Sequence, residues 1–299
     1  MSGTAGRAAL IPPRERTRVG FLGAGRIGLP MVSRLVGAGH RVQVCDRSGK
    51  ARTALEKAGA GSSADPAEVA ADAHAVVVCV RTDEQVREAV LGGGLLDVMS
   101  SGSVLIVHTT GSPATVARLA ERARPRGIEV VDAPVSGGPH DITAGGVTLY
   151  CGATAEGMER ARCVLSSYGE PILHCGPPGT GQLVKLVNNA VFAANIAVLA
   201  TAVRLARGLG LEECSVLIGL GHGSAASRAL SGAAARGSVA AFAHGVGEFV
   251  GKDIAVVRDV AAELGQELGL LADAHSVLGD LLTPEHRAPL TGSSAVAGS

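Results

Sequence analysis

Between Glu170 and Arg204 a single residue, Lys185, is Asp, Glu, Lys or Arg. It lies in GTGQLVKLVNNAVFAANIAVLATAV, residues 179–203, which otherwise reads as an apolar helix. On a helix Lys185, Asn188 and Asn189 stand at i, i+3 and i+4, with Asn195 near the same line, so they form one polar stripe on a greasy rod. A lysine desolvated in a closed site can exchange a proton with a ligand oxygen near neutral pH. Asn189, one turn on, can hold that oxygen or an adjacent carboxylate through its amide. The plainer alternative is that Lys185 carries its charge out to solvent while the asparagines satisfy buried backbone.

Other chemistry-bearing residues shift that balance. Ser136-Gly137-Gly138, in DAPVSGG, offers backbone N–H groups and a hydroxyl as a nest for a carboxylate. Lys252-Asp253, in GKDIAVV, supplies a second cation at what reads as a helix start. Thr109-Thr110-Gly111 follows the apolar run VLIV, where an open α/β sheet presents its ligand crevice. Finally, GFLGAGRIGLP contains Gly23-x-Gly25-x-x-Gly28, with Ala24, Arg26 and Ile27 between the glycines. A strand precedes this loop, a helix starts within it, and Asp46 follows 18 residues after Gly28. That is the layout of a dinucleotide site: tight turn, close backbone approach to a pyrophosphate, and helix N–H groups to receive it. Asp46 suits a ribose diol and favours NAD, whereas Arg47 suits a ribose phosphate and favours NADP, so the cofactor reads as NAD(P).

The elements that must position these residues alternate along the first half. Strands are expected at 18–22, 41–45, 75–80, 104–107, 129–131 and 147–151. Helices are expected at 26–38, 50–58, 66–71, 83–91, 113–124 and 155–168. Short apolar strands separated by amphipathic helices imply a doubly wound, mainly parallel sheet of Rossmann type. Beyond Gly176-Pro177-Pro178-Gly179 only helical text is expected, at 182–208, 212–219, 225–235, 246–268 and 270–282. The reading is therefore a leader over 1–16, a cofactor domain over 17–178, an all-helical domain over 179–283 and a disordered tail over 284–299.

Composition narrows the function classes. The 299 residues carry 27 basic and 27 acidic side chains, so no charge excess recommends nucleic acid or an anionic membrane as partner. With no Trp, two Tyr and four Phe there is no base-stacking platform. The six cysteines are scattered without a CxxC pair, which argues for reduced thiols in a cytoplasmic protein and against a metal site. The asparagines and alanines of residues 186–203 argue for a buried helix rather than a membrane span.

Taken in order, GFLGAGRIGLPMVSRLVGAGH, DAPVSGG, GQLVKLVNN and GKDIAVV resemble the β-hydroxyacid dehydrogenase family over about Arg18 to Ala274. The resemblance implies a Rossmann domain, then an all-helical domain with the site in a cleft, and a homodimer or homotetramer. It implies Lys185 as general acid/base, and Ser136, Gly137, Gly138, Asn189 and Lys252 as holders of a small carboxylate substrate. It places Gly23 to Gly28, Asp46, Arg47, Val80, Arg81, Thr110 and Lys252 at the cofactor. Val80-Arg81 and His108 depart from the family's usual residues, and His108 and Arg81 are expected to flank the cleft mouth. His222 and His244 are expected as turn or surface histidines. Imine reduction on the same fold and a non-catalytic NAD(P)-binding module are the competing readings, both disfavoured by the presence of Lys185.

Overall fold

The computed structural model describes residues 17–46 and 52–283. The leader over 1–16, Arg47 and the tail over 284–299 lie outside the described residues. The chain forms two compact units, one running through Lys185 and the other from Leu186.

In the first unit, β1 (Arg18–Leu22), β2 (Arg41–Cys45), β3 (Gly61–Ser63), β4 (Ala75–Val78), β5 (Val104–Val107) and β6 (Glu129–Asp132) run parallel in the order β3-β2-β1-β4-β5-β6. The winding reverses between β1 and β4, and the crevice of such a sheet lies beyond the carboxyl ends of the strands there. β7 (Val135–Ser136) and β8 (Val147–Gly152) continue the sheet antiparallel, and β9 (Gly169–Gly176) pairs parallel with β8. All four residues of β4 and of β5 are buried. Ala75, Val77, Val104 and Ile106 pack into one cluster, Val76, Val78, Leu105 and Val107 into another. This is the period-2 alternation of a sheet covered on both faces.

Three strands escape the sequence pattern, each for a local reason. β3 is Gly-Ser-Ser, β7 has two residues, and β9 offers only the short apolar pair Ile172-Leu173 after a proline, so none shows a sustained apolar run. The strand expected to reach Val80 stops at Val78, and the helix expected over 83–91 turns π-helical from Glu88.

The second unit is helical over its described residues. The long helix, Thr180–Gly208, runs into it and is followed by Glu213–Gly221, Arg228–Ala235, Val239–Glu263 and Leu270–Leu282. The helix expected from 246 begins at Val239 because Ser238 caps it, accepting the Ala241 N–H. The long helix is apolar enough to cross a membrane by length and composition, with a mean hydropathy of 1.7 over its best window. That window is 56% buried, and Ala193, Ile196, Ala197, Ala200 and Val203 pack into the unit's core. Such burial is that of a core helix.

Candidate active site

The glycine loop follows β1 and leads into the helix Gly28–Gly37. Gly23 has φ +97°, and a Cβ there would lie 2.2 Å from the Cys79 carbonyl oxygen, so only glycine fits. A Cβ on Gly25 would meet nothing within 4 Å. The helix start has no side-chain cap and no acidic residue in its first turn. Open space above Gly25, beside uncapped N–H groups, fits the pyrophosphate of a dinucleotide. Ala24, Arg26 and Ile27 lie in this turn, with Arg26 exposed, and Asp46 follows β2 with its N–H on the Ser63 carbonyl.

The loops beyond β4 and β5 are tied together. The Val80 N–H donates to Thr109 Oγ1 at 3.0 Å, and the Thr109 hydroxyl donates to the Val80 carbonyl at 3.0 Å. The Arg81 N–H donates to Gln85 Oε1 in the capping box of the next helix. Gln182, one turn into the long helix, reaches the same region. Its Nε2 donates to the Thr109 carbonyl at 2.9 Å and its Oε1 accepts the Gly111 N–H at 3.0 Å, one bond on each side of Thr110.

Asp132, at the end of β6, receives the start of that helix. Its Oδ1 accepts the Gly179 N–H at 2.6 Å and its Oδ2 accepts the Gln182 N–H at 2.7 Å. Burial pushes the Asp132 carboxyl up to about 6 against the lowering effect of those N–H groups. Lys185 is 8% exposed, on the face of the helix that also carries Gln182.

In the second unit, Asn189 Nδ2 donates to Asp253 Oδ2 at 2.8 Å and Asn189 Oδ1 accepts from Asn188 Nδ2 at 3.2 Å. Lys252 Nζ lies 3.5 Å from Asp253 Oδ1. Asp253 thus orients the amide and the cation named from the sequence.

Two expectations change. His108 does not flank an opening. It is buried, its Nδ1 donating to the Ala133 carbonyl at 2.6 Å and its Nε2 accepting the Tyr168 hydroxyl at 2.8 Å. Burial pushes it down to about 4 and holds the Tyr168 phenol far above its usual range, so the pair is neutral. In the Ser136-Gly137-Gly138 nest, the Gly138 N–H is already donated to Asp141 Oδ2 at 2.7 Å, so this N–H serves the helix Pro139–Ala144 instead. His222 is exposed at a helix end, and His244 bonds the Ala240 carbonyl within its own helix.

Sequence reasoning passed over Asp132, Gln182, Asp141 and Asp253 as site residues. Three of them were quoted inside motifs, but nothing in the spacing tells which backbone groups they meet.

Residues 18–176 match the family model for the NAD binding domain of 6-phosphogluconate dehydrogenase, more than half of the chain. Residues 179–291 match that for the NAD-binding region of NADP-dependent 3-hydroxyisobutyrate dehydrogenase. The chain belongs to the β-hydroxyacid dehydrogenase family. Its fold is a Rossmann sheet followed by a helical region, and its cofactor is NAD(P). The chain is 36% identical to the 3-hydroxyisobutyrate dehydrogenase of Pseudomonas aeruginosa over 66% of each chain. It is 29% identical to the 3-sulfolactaldehyde reductase of Escherichia coli, over 87% of this chain and 88% of the relative. The solved structure of Mycobacterium tuberculosis 3-hydroxyisobutyrate dehydrogenase with L-serine superposes with a TM-score of 0.79 at 27% identity, over 88% of this chain and 93% of the other.

Proposed function

We propose that this chain interconverts a small β-hydroxy acid and its semialdehyde, with Lys185 carrying the proton. The supporting observation is a buried lysine, 8% exposed as a whole residue, three residues past a glutamine bonded on both sides of Thr110 in the loop beyond β5. NAD(P), when bound, supplies the donor or acceptor of the hydride. In oxidation the neutral amine of Lys185 takes the hydroxyl proton as that oxygen becomes a carbonyl. In reduction the ammonium returns a proton to the same oxygen.

The other roles belong to the same reading. Asn189, its amide oriented by Asp253, holds the reacting oxygen, and Lys252 adds positive charge for the substrate's acid group. Ser136 and Gly137 receive that acid group, while Gly138 is left out because Asp141 holds its N–H. Gly23 to Gly28 take the pyrophosphate, Asp46 takes the ribose hydroxyls, and Val80, Arg81 and Thr110 border the cofactor. The substrates named for relatives, 3-hydroxyisobutyrate, L-serine and 3-sulfolactaldehyde, share an anionic group at one end of a short skeleton and a hydroxyl or aldehyde at the other. This chain takes a substrate of that class. Self-association belongs to the same reading, supported by exposed Val187, Val191, Val198 and Leu205 along one face of the long helix, and light scattering measures it.

The test mixes the purified full chain with oxidised or reduced NAD(P) and a panel of short hydroxy acids and semialdehydes. Lys185→Ala is expected to lower kcat about 10²–10⁴-fold while NAD(P)H affinity stays within about threefold. Cofactor binding without turnover of any panel member overturns the reading in favour of a binding module. Turnover of cyclic imines alone overturns it in favour of imine reduction.

A further inference from the structure

We infer that Gln182 is a positioning residue, whose buried amide clasps the loop beyond β5 to the start of the long helix and so sets Lys185 for proton transfer. The inference rests on the reading of Lys185 given above. Gln182 is 1% exposed, and burying an amide is unfavourable unless both its halves are bonded. Both halves are bonded here, and to backbone rather than to side chains: the Thr109 carbonyl and the Gly111 N–H, either side of Thr110. Backbone partners cannot swing away, so the pair of bonds fixes the rotation and the axial height of the helix together. Lys185 follows three residues later, about 4.5 Å further along the axis on the same face.

A second set of contacts grips the helix end. Asp132 receives the Gly179 and Gln182 N–H groups on separate oxygens. Glycine at two positions permits that approach. A Cβ on Gly181 would lie 2.3 Å from the Tyr150 carbonyl oxygen and 2.7 Å from Asp132 Oδ2, and one on Gly152 would lie 2.3 Å from Asp132 Oδ1. The Thr109 hydroxyl, bonded to both backbone groups of Val80, extends the clasp to the loop beyond β4. Loops beyond three neighbouring strands therefore meet at one glutamine. An apolar side chain of the same size would fill the space but leave the Thr109 carbonyl and Gly111 N–H without their partner, and the helix free to shift.

Gln182→Met is the test, read in the full chain beside wild type and Lys185→Ala, with 3-hydroxyisobutyrate, L-serine and short semialdehydes as probes. The expected result is a kcat about 10–100-fold lower, as a shift of order 1 Å in a reacting group produces, with the Kd of NAD(P)H within about threefold of wild type. In the cofactor-free chain, amide exchange at residues 183–186 should rise in Gln182→Met and not in Lys185→Ala. Should Gln182→Met fail to accumulate, Asp132→Asn reads the same anchor while keeping its shape and one acceptor oxygen, with kcat expected about tenfold lower at unchanged Kd. A kcat within twofold of wild type, while Lys185→Ala is inactive, overturns the inference alone. So does a loss of cofactor affinity in step with kcat. Full turnover in Lys185→Ala overturns both it and the reading of the lysine.

Discussion

Two helix starts in the first unit face the same electrostatic problem and resolve it oppositely. Every helix begins with N–H groups that lack partners and with the positive end of its dipole. At Gly28–Gly37 the chain provides no side-chain cap, and a Cβ on Gly25 would meet open space. At Thr180–Gly208 the chain provides its own buried carboxylate, Asp132, against which Gly181 and Gly152 press too closely for any side chain. The first start is left for an anion from outside, and the second is closed by an anion from within. Glycines serve both, as clearance for a ligand in one and as contact surface in the other. A helix whose N-terminus is satisfied internally is a rigid mount, which suits the proton carrier proposed for Lys185.

That contrast can be broken from either side. Gly181→Ala should cost about 3 kcal/mol of stability, read as a fall in Tm of roughly 6–12 °C, because its Cβ meets backbone that cannot yield. An unchanged Tm would mean the helix end is not held as described. Asp132 and His108 sharpen the comparison through pH, at about 3 kcal/mol each over their full range. Asp132 is raised in the folded chain, so its contribution is full below the usual carboxylate value and is lost as pH rises through about 6. His108 is lowered, so its contribution is full above 6.5 and is lost as pH falls towards about 4. Between pH 4 and 6 the two slopes oppose each other. Denaturant unfolding should therefore give a stability difference, wild type minus Asp132→Asn, that falls steadily from pH 4 to 6.5; a flat difference would refute the assignment.

On the ligand side, Gly25→Ala should raise the Kd of NAD(P)H about tenfold, near 1.4 kcal/mol, and leave Tm within about a degree. Tight binding in that variant would place the pyrophosphate elsewhere. The smallest effect concerns a third helix start, where Asp141 caps Gly138 beside the nest proposed for the substrate's acid group. Asp141→Asn keeps an acceptor and removes a negative charge, so KM for a carboxylate substrate should fall about threefold at unchanged kcat. A KM that rises instead would separate that nest from the acid group.

Much of the frame was legible in the chain. AVVV and VLIV are uninterrupted apolar runs, and a strand buried on both faces has no other signature. Gly23-x-Gly25-x-x-Gly28 identified its turn because the positive φ at Gly23 and the approach of Gly28 to the Gly23 carbonyl are demands of the turn itself, although the Cys79 carbonyl that also crowds Gly23 is not legible there. Lys185 stood out because it is the single charge between Glu170 and Arg204, and the motifs around it, not the lysine alone, outweighed the plainer reading of a charge carried out to solvent. By contrast β9 was missed because a strand with one half-buried apolar side chain, Ile172, needs no apolar run to mark it, and His108 was misplaced because a histidine after a strand looks the same whether it faces a crevice or a tyrosine 60 residues away.

By itself, then, the sequence determined most of the strands and helices, where a dinucleotide turn lies and which amine stands alone in an apolar helix. These follow from periodicity, backbone sterics and the cost of desolvating charge, all of which act over a few residues. Only the tertiary structure decided that Asp132 closes the long helix, that Gln182 straddles Thr110, that Asp141 takes the Gly138 N–H and that Asp253 orients Asn189. Most of these bonds join residues from 47 to 73 positions apart to backbone or side-chain groups that every sequence offers in abundance. Which of those groups meet is settled by how strands and helices pack, and that information is not local.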